Sequence, residues 1–416
     1  MLHLSAYKEQ LFTITTCLLF VSIILGEKAQ AVLSISMGLH VASILLLTAP
    51  TALFKNFFQN RAMLLFSFSF LFLLFSFFYS NNWKYLAERL QIKLPFLLYA
   101  VIIPSIGSIK PSQLQSILKV YILTIVLTVI GILTNYVLNF DAINQLYLES
   151  KIMPGPINHI RFSLLVVFAI YLCYYYLKNI LLFKQSKATY IFLSALLFLF
   201  IFLHIYSVRS GLLALYAVVG IALINYFWAS KNLKHITIAS VLIVSIASIS
   251  LLASPSLRNK ITNTIQDITV VRQSENPNFN SIATRVASYQ TALIIFKENI
   301  WFGCGQGDLK DKNDALFKQL YPTVETPIIP HNQFIYYLAA TGLIGLGIFI
   351  ISFTAPLWLN KGYTIEIIQV GYVILLLAFQ FEAMIETQIG VVCTLLFILI
   401  PVLFNNNITA KILPRT

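Results

Sequence analysis

The chain has 416 residues, of which 58% are hydrophobic and only 10% charged, with a formal net charge of +13. Soluble domains carry about 25% charged residues, so a chain this apolar could not cover its surface in water and must have lipid as its solvent. The positive balance needs no nucleic acid to explain it, because Lys and Arg accumulate in the cytoplasmic loops of polytopic membrane proteins.

In chain order, apolar runs predict helices over 11–26, 31–49, 62–80, 94–106, 114–138, 160–182, 189–206, 210–229, 236–254, 333–354, 364–384 and 387–405. Several approach the ~20 residues that cross a hydrocarbon core; those at 11–26 and 94–106 are short. About twelve spans place both termini on one side. With the N-terminus inside, the cytoplasmic segments hold Lys8, Lys55, Arg61, Lys110, Lys119, Lys178, Lys184, Lys187, Lys231, Lys234, Lys361, Lys411 and Arg415. The opposite short loops carry more acids, among them Glu27, Glu88, Asp141 and Glu149, and this asymmetry sets the orientation. Residues 11–25 followed by Ala29-Gln30-Ala31 also have the outline of a cleaved signal peptide, although the segment before them offers only Lys8, partly offset by Glu9. Cys17, Cys173 and Cys393 lie inside apolar runs and Cys304 stands alone in a loop, so neither a disulfide framework nor zinc spacing is present.

The segment 255–332 is the one long polar break, too long for a simple connector. It divides the chain into nine spans (1–254), a cap (255–332) and three further spans with a short tail (333–416). Ser281 can cap a helix running to about Asn299, with Ile282, Val286, Tyr289, Leu293 and Phe296 at helical spacing. Trp301-Phe302-Gly303-Cys304-Gly305-Gln306-Gly307-Asp308 follows as a tight turn that lets the loop cross close to the membrane. It is no dinucleotide fingerprint, since no strand–turn–helix unit surrounds it. Residues 309–320 form a second amphipathic helix, on which Lys310 and Lys312, interleaved with Asp308, Asp311 and Asp314, indicate a solvated face rather than a metal site.

This topology gathers ionisable residues on one side. Arg161 opens the run at 160–182, Arg209 opens 210–229 and His331 precedes 333–354, while Glu382 and Glu386 sit one helical turn apart at the end of 364–384. Such groups are costly at membrane depth and face a cavity or one another, so the cluster predicts a site opening to the periplasm. Each also has a plainer reading: snorkelling for Arg161, a surface charge for Arg285, a helix cap for His331, structural pairing with an arginine for the two glutamates.

His331-Asn332, nine further residues, then Gly342-Leu343-Ile344-Gly345 resembles the signature that ends the large loop in the O-antigen ligase and polymerase family of membrane glycosyltransferases. An arginine followed four residues later by leucine occurs as Arg209…Leu213 and Arg161…Leu165, and Arg209 in its Arg-Ser-Gly context resembles the family position better. The stretch from Arg285 through Trp301-Phe302-Gly303-Cys304-Gly305 to His331 is similar to the family's core. The likeness is specific over about 205–350 and architectural elsewhere.

The resemblance implies an all-α, GT-C-like polytopic protein of the bacterial inner membrane, with its active site facing the periplasm. It would move a glycan en bloc from undecaprenyl diphosphate to an acceptor hydroxyl, usually a sugar of the lipid A core, with neither metal nor other cofactor. Arg209, Arg285 and Arg161 would meet the lipid diphosphate, since guanidinium groups bind phosphate oxygens bidentately and stabilise charge on the leaving group. His331 would take the acceptor's proton or position the diphosphate. Glu382 and Glu386 are reserve bases, and Asn332, Gly342 and Gly345 support the motif. A polymerase or a protein oligosaccharyltransferase would share the donor and differ in acceptor, and the sequence leaves these open. A flippase or transporter of the same lipid-linked glycan would place its polar groups near the midplane in repeated halves, a pattern this chain lacks.

Overall fold

The computed structural model describes residues 2–245 and 281–401, apart from 107–108, 149–151, 183, 232, 235–236, 239, 242–244, 323, 325 and 399–400. Most of the expected span at 236–254, residues 255–280 of the expected cap, Glu149, Lys411 and Arg415 lie outside the described residues.

The N-terminal hairpin joins α1 (Leu2–Leu25) to α2 (Gln30–Leu47). Next come a short α3 (Pro50–Gln59), α4 (Arg61–Leu71) running on as a 3-10 helix to Phe78, and α5 (Trp83–Ile102). The Asn60 and Asn82 side chains accept from the backbone N–H groups of Met63 and Tyr85, which fixes where α4 and α5 begin. α6 (Pro111–Leu138) and the short α7 (Phe140–Leu148) lead to α8 (His159–Asn179), α9 (Lys187–Tyr206) and α10 (Arg209–Ser230). The loop supplies α11 (Ser281–Glu298) and α12 (Leu309–Leu320), and α13 (Gln333–Phe353), α14 (Glu366–Phe381) and α15 (Gln388–Ile398) complete the bundle. Among the described residues seven helices are long and apolar enough to cross a membrane, and Glu9–Leu25, α14 and α15 are shorter apolar helices.

α8 is the axis. Every residue from Ile160 to Cys173 is buried, because α6, α9, α10 and α14 pack around it. The outer helices turn apolar stripes outward, such as Ile14, Leu18 and Val21 on α1 or Leu123, Leu127 and Ile130 on α6, as lipid-facing helices must. Polar contacts inside the bundle are local clasps: the His40 ring nitrogens stand 3.1 Å from Thr16 Oγ1 and 2.8 Å from Tyr99 Oη, linking α1, α2 and α5.

Two expected spans change. The run at 94–106 is the second half of α5, which starts at Trp83 and carries Lys84, Glu88, Arg89 and Lys93 on a helix rather than in a loop. The run at 333–354 is broken at Gly342 (φ 66°, ψ −168°). Beyond the break the chain folds back, so that the Tyr337 and Phe349 rings stack with centroids 4.3 Å apart. In a straight helix these residues would stand ~18 Å apart.

Breaking a helix orphans backbone groups that lipid cannot satisfy, and the loop turn supplies the partners. Cys304 and Gly305 donate to the carbonyls of Ala339 and Ala340 at 3.0 and 2.9 Å, while Leu343 and Ile344 donate to Ile300 and Trp301 at 2.9 and 3.2 Å. The approach admits no side chain: a Cβ on Gly342 would lie 2.3 Å from the Trp301 carbonyl carbon, and one on Gly303 (φ 69°) 2.5 Å from that of Ala340. Asp308 then pins the turn to the start of α5, accepting from the Asn81 and Asn82 backbone N–H groups, each at 2.8 Å. It is therefore a buried anchor and not part of a solvated face; Asp311 accepts from Asn82 Nδ2 at 2.7 Å and Asp314 pairs with Lys310.

Candidate functional site

The Asn158 cap, accepting from Ile160 N–H at 2.9 Å, starts α8 so that Arg161 falls in its first turn at the bundle's end. There Arg161 Nη2 pairs with Glu382 Oε1, and Nη1 lies 3.8 Å from Glu27 Oε1. Arg161 and Glu382 are only 5% and 7% exposed, yet Arg161 Nε and Glu382 Oε2 have no hydrogen-bond partner. The pair retains one free donor and one free acceptor.

Glu382 and Glu386 do not share a helical face. α14 ends at Phe381, Glu382 is extended (φ −153°, ψ 144°), and Met384–Glu386 form a single 3-10 turn. The two carboxylates therefore reach different cations. Glu386 pairs with Lys93 Nζ of α5 at 2.8 Å, and both are essentially inaccessible at 2% and 0% exposure. Gln333 Nε2 donates to Glu386 Oε1 at 3.0 Å, Gln306 Nε2 to Oε2 at 3.2 Å, and Arg89 Nη1 to the Glu386 carbonyl at 2.7 Å. With donors on both oxygens, Glu386 is a poor candidate for a proton acceptor.

His331 sits just ahead of α13. Asn332 caps that helix by accepting from Phe334 and Ile335, and its Nδ2 stands 3.2 Å from Gln380 Oε1 near the end of α14. Tyr289 Oη of α11 donates to the His331 carbonyl at 3.1 Å. Burial, then the positive charges of Arg285 on α11 and of Arg161 on α8, pull the imidazole pKa down from 6.5 to about 4. At neutral pH the ring is uncharged.

Arg209 is exposed as the first residue of α10. Its small neighbour Gly211 admits α8 itself, since a Cβ there would lie 2.5 Å from Ser163 Cβ. This contact sets the starts of α8 and α10, and hence Arg161 and Arg209, side by side. The fold thus brings Arg161 and Arg285 into electrostatic reach of His331, with Glu382 paired to Arg161 and Arg209 on the neighbouring helix end. Gly342 and Gly345 serve the chain's path: a Cβ on Gly345 would lie 2.3 Å from Thr341 Cβ. Lys93, Gln306, Gln333 and Arg89 enter without any motif. The sequence signal for Lys93 was its position in an apolar stretch, Ile92-Lys93-Leu94-Pro95-Phe96.

A cavity of about 120 Å³ lined by Asn60, Met63, Ile103, Pro356, Tyr372 and Phe397 lies at the opposite end of the bundle, away from these groups. Among the described residues no three His, Cys, Asp or Glu side chains are grouped to hold a metal ion.

Fold and site together define a polytopic, all-helical membrane protein with arginines, a histidine and carboxylates converging at one end of the bundle under a helical loop. Residues 192–350, a little over a third of the chain, match the family described as O-antigen ligase. No curated protein matches the chain. The matched segment contains Arg209, Arg285, His331, Gly342 and Gly345, whereas Lys93, Arg161, Glu382 and Glu386 lie outside it.

Proposed function

We propose that the protein is an O-antigen ligase of the bacterial inner membrane, transferring a glycan en bloc from undecaprenyl diphosphate to a hydroxyl of lipid A-core at the periplasmic face. The observation that carries this reading is the placing of His331, just ahead of α13, within electrostatic reach of two arginines from different helices, Arg285 and Arg161.

In this reaction Arg209 and Arg285 bind the donor's diphosphate through charge-assisted hydrogen bonds. His331 accepts the proton of the acceptor hydroxyl as that oxygen bonds to the anomeric carbon. The bond from this carbon to the diphosphate oxygen breaks, and undecaprenyl diphosphate leaves with the electron pair, its charge stabilised by the arginines. The diphosphate also offsets the positive field of Arg285 and Arg161 at His331. That raises the imidazole pKa towards its ordinary value and makes the ring a stronger base once the donor is bound. Glu382 holds Arg161 in place and is the second proton acceptor available, through Oε2. The arginines supply the positive charge the leaving group needs, so no metal enters the scheme.

Reconstitution with an undecaprenyl-diphosphate glycan and lipid A-core, in chelator, tests this. Glycosylated lipid A-core from the wild type and none from His331→Ala supports the ligase. Longer lipid-linked chains would make it a polymerase, glycosylated protein an oligosaccharyltransferase, and glycan translocation without a covalent product would end the enzyme reading.

A further inference from the structure

We infer that Lys93, Glu386, Gln306 and Gln333 act together as positioning residues, a buried junction that holds His331 in register with Glu382 and Arg161; this rests on the transfer reaction proposed above. Four separate pieces of chain meet at the Glu386 carboxylate. Lys93 comes from the middle of α5, Gln306 from the turn after α11, Gln333 from the start of α13, and Glu386 from the turn between α14 and α15. The Lys93 ammonium also lies 5.5 and 5.4 Å from the ring centroids of Tyr336 and Tyr337 on α13.

The need for such a junction follows from the break at Gly342. In a continuous helix, packing of the second half would fix the direction of the first. Here residues 333–341 fold back, and helix continuity no longer sets where their N-terminus points. Directional contacts replace it. Gln333 Oε1 accepts from Ile385 N–H at 3.0 Å while its Nε2 donates to Glu386, so one amide side chain grips the 3-10 turn at two points. His331 is two residues before Gln333, and Glu382 is three before Ile385. Gln306 Nε2, shared between Glu386 and Tyr336 Oη at 2.9 Å, ties the loop turn to the same point.

Stability alone does not account for the arrangement. A buried ion pair costs desolvation that good geometry only repays, and apolar replacements of a whole pair are often neutral or stabilising. What a charged carboxylate with donors on both oxygens adds is register, because a slipped chain would leave a buried charge unmatched.

The test uses the full-length protein in nanodiscs and compares wild type, Lys93→Met, Gln306→Met and Gln333→Met. Transfer kinetics are followed together with amide hydrogen exchange. We expect each variant to lose kcat, by up to about a hundredfold, as for a reacting group displaced by about 1 Å, with the donor KM within about threefold. In the two glutamine variants exchange should quicken at 300–308 and 333–341 and stay unchanged in α8 and α9. The two neutral glutamine variants keep the test open should Lys93→Met fail to fold. Unchanged kcat in folded variants would overturn the inference, as would exchange that rises uniformly across the bundle in the glutamine variants, the mark of general destabilisation. Because exchange needs no turnover, a wild type that makes no product would count against the proposed reaction while the exchange pattern still reports on the junction.

Discussion

Two buried ion pairs, built on glutamates four residues apart in sequence, Glu382 and Glu386, differ in kind. Arg161 Nε and Lys93 Nζ both lack a hydrogen-bond partner, but Glu382 has none on Oε2, whereas Glu386 receives donors on both carboxylate oxygens and is closed to solvent. The same acid, nearly equally buried, is left with capacity for chemistry in one place and spent on architecture in the other. Burial and charge do not separate the two roles; the count of donors around each carboxylate does.

Mutations can break this contrast. The largest effect belongs to the open side, where His331→Ala should reduce transfer by about 10²–10⁴-fold, the usual contribution of a general base, with thermal stability nearly unchanged. A similar loss of thermal stability in this variant would move His331 to the architectural side. Next, Lys93→Met leaves Glu386 charged without its cation and should cost about 3–5 kcal/mol, read as a lower midpoint in thermal unfolding in detergent. Glu382→Gln keeps a side chain able to accept from Arg161 and should cost less stability while still lowering transfer. If it unfolds the protein as readily as Lys93→Met, the two pairs are alike after all.

Gly342→Ala should cost about 1–3 kcal/mol for strain at positive φ, and more if the Trp301 turn cannot yield. At Gly347 an added Cβ would meet nothing within 4 Å, so this position should tolerate Ala freely, and comparing the two melting temperatures isolates the break. The smallest effect concerns pH. His331 has a folded pKa of about 4 against an ordinary 6.5, so between these values the unfolded chain binds a proton that the folded chain does not. Stability therefore falls as pH drops through that window and levels off below it. Arg285→Gln removes one of the charges responsible, raises the folded pKa and shrinks this loss. Unfolding midpoints of the two proteins at pH 6.5 and 4.5 should differ by less in the variant than in the wild type.

Much of the framework was legible because it is local. α12 covers 309–320 as its amphipathic spacing predicts, and α11 runs Ser281–Glu298 against an expected end at Asn299. Helices at 160–182 and 189–206 are found within a few residues, held by Asn158 and Ser186 caps that a sequence displays openly. The site was legible as a set of residues but not as a geometry. Ala-Thr-Gly-Leu-Ile-Gly reads as unbroken apolar helix, and only the ladder to residues 300–305 reveals that Gly342 is a fold point. Helical spacing put Glu382 and Glu386 on one face, and the chain leaves the helix before either is reached. Lys93 marked the edge of an apolar run, because a hydropathy reading takes a charge for a boundary. Its partner, Glu386, lies 293 residues further along the chain (386 − 93).

The folded-back α13 also bears on the lipid around the protein. Its straight portion, Leu343–Phe353, rises about 16 Å, roughly half of the ~30 Å hydrocarbon thickness of a bilayer. Leu343, Ile344, Ile350 and Ile351, the exposed apolar residues of that portion, offer neighbouring lipid tails a belt of only this height. Local thinning of the bilayer is one of the ways such a mismatch is relieved. Where the bilayer thins to meet this flank, a long-chain lipid approaching it would find its headgroup drawn down towards the protein and the turn at Gly342.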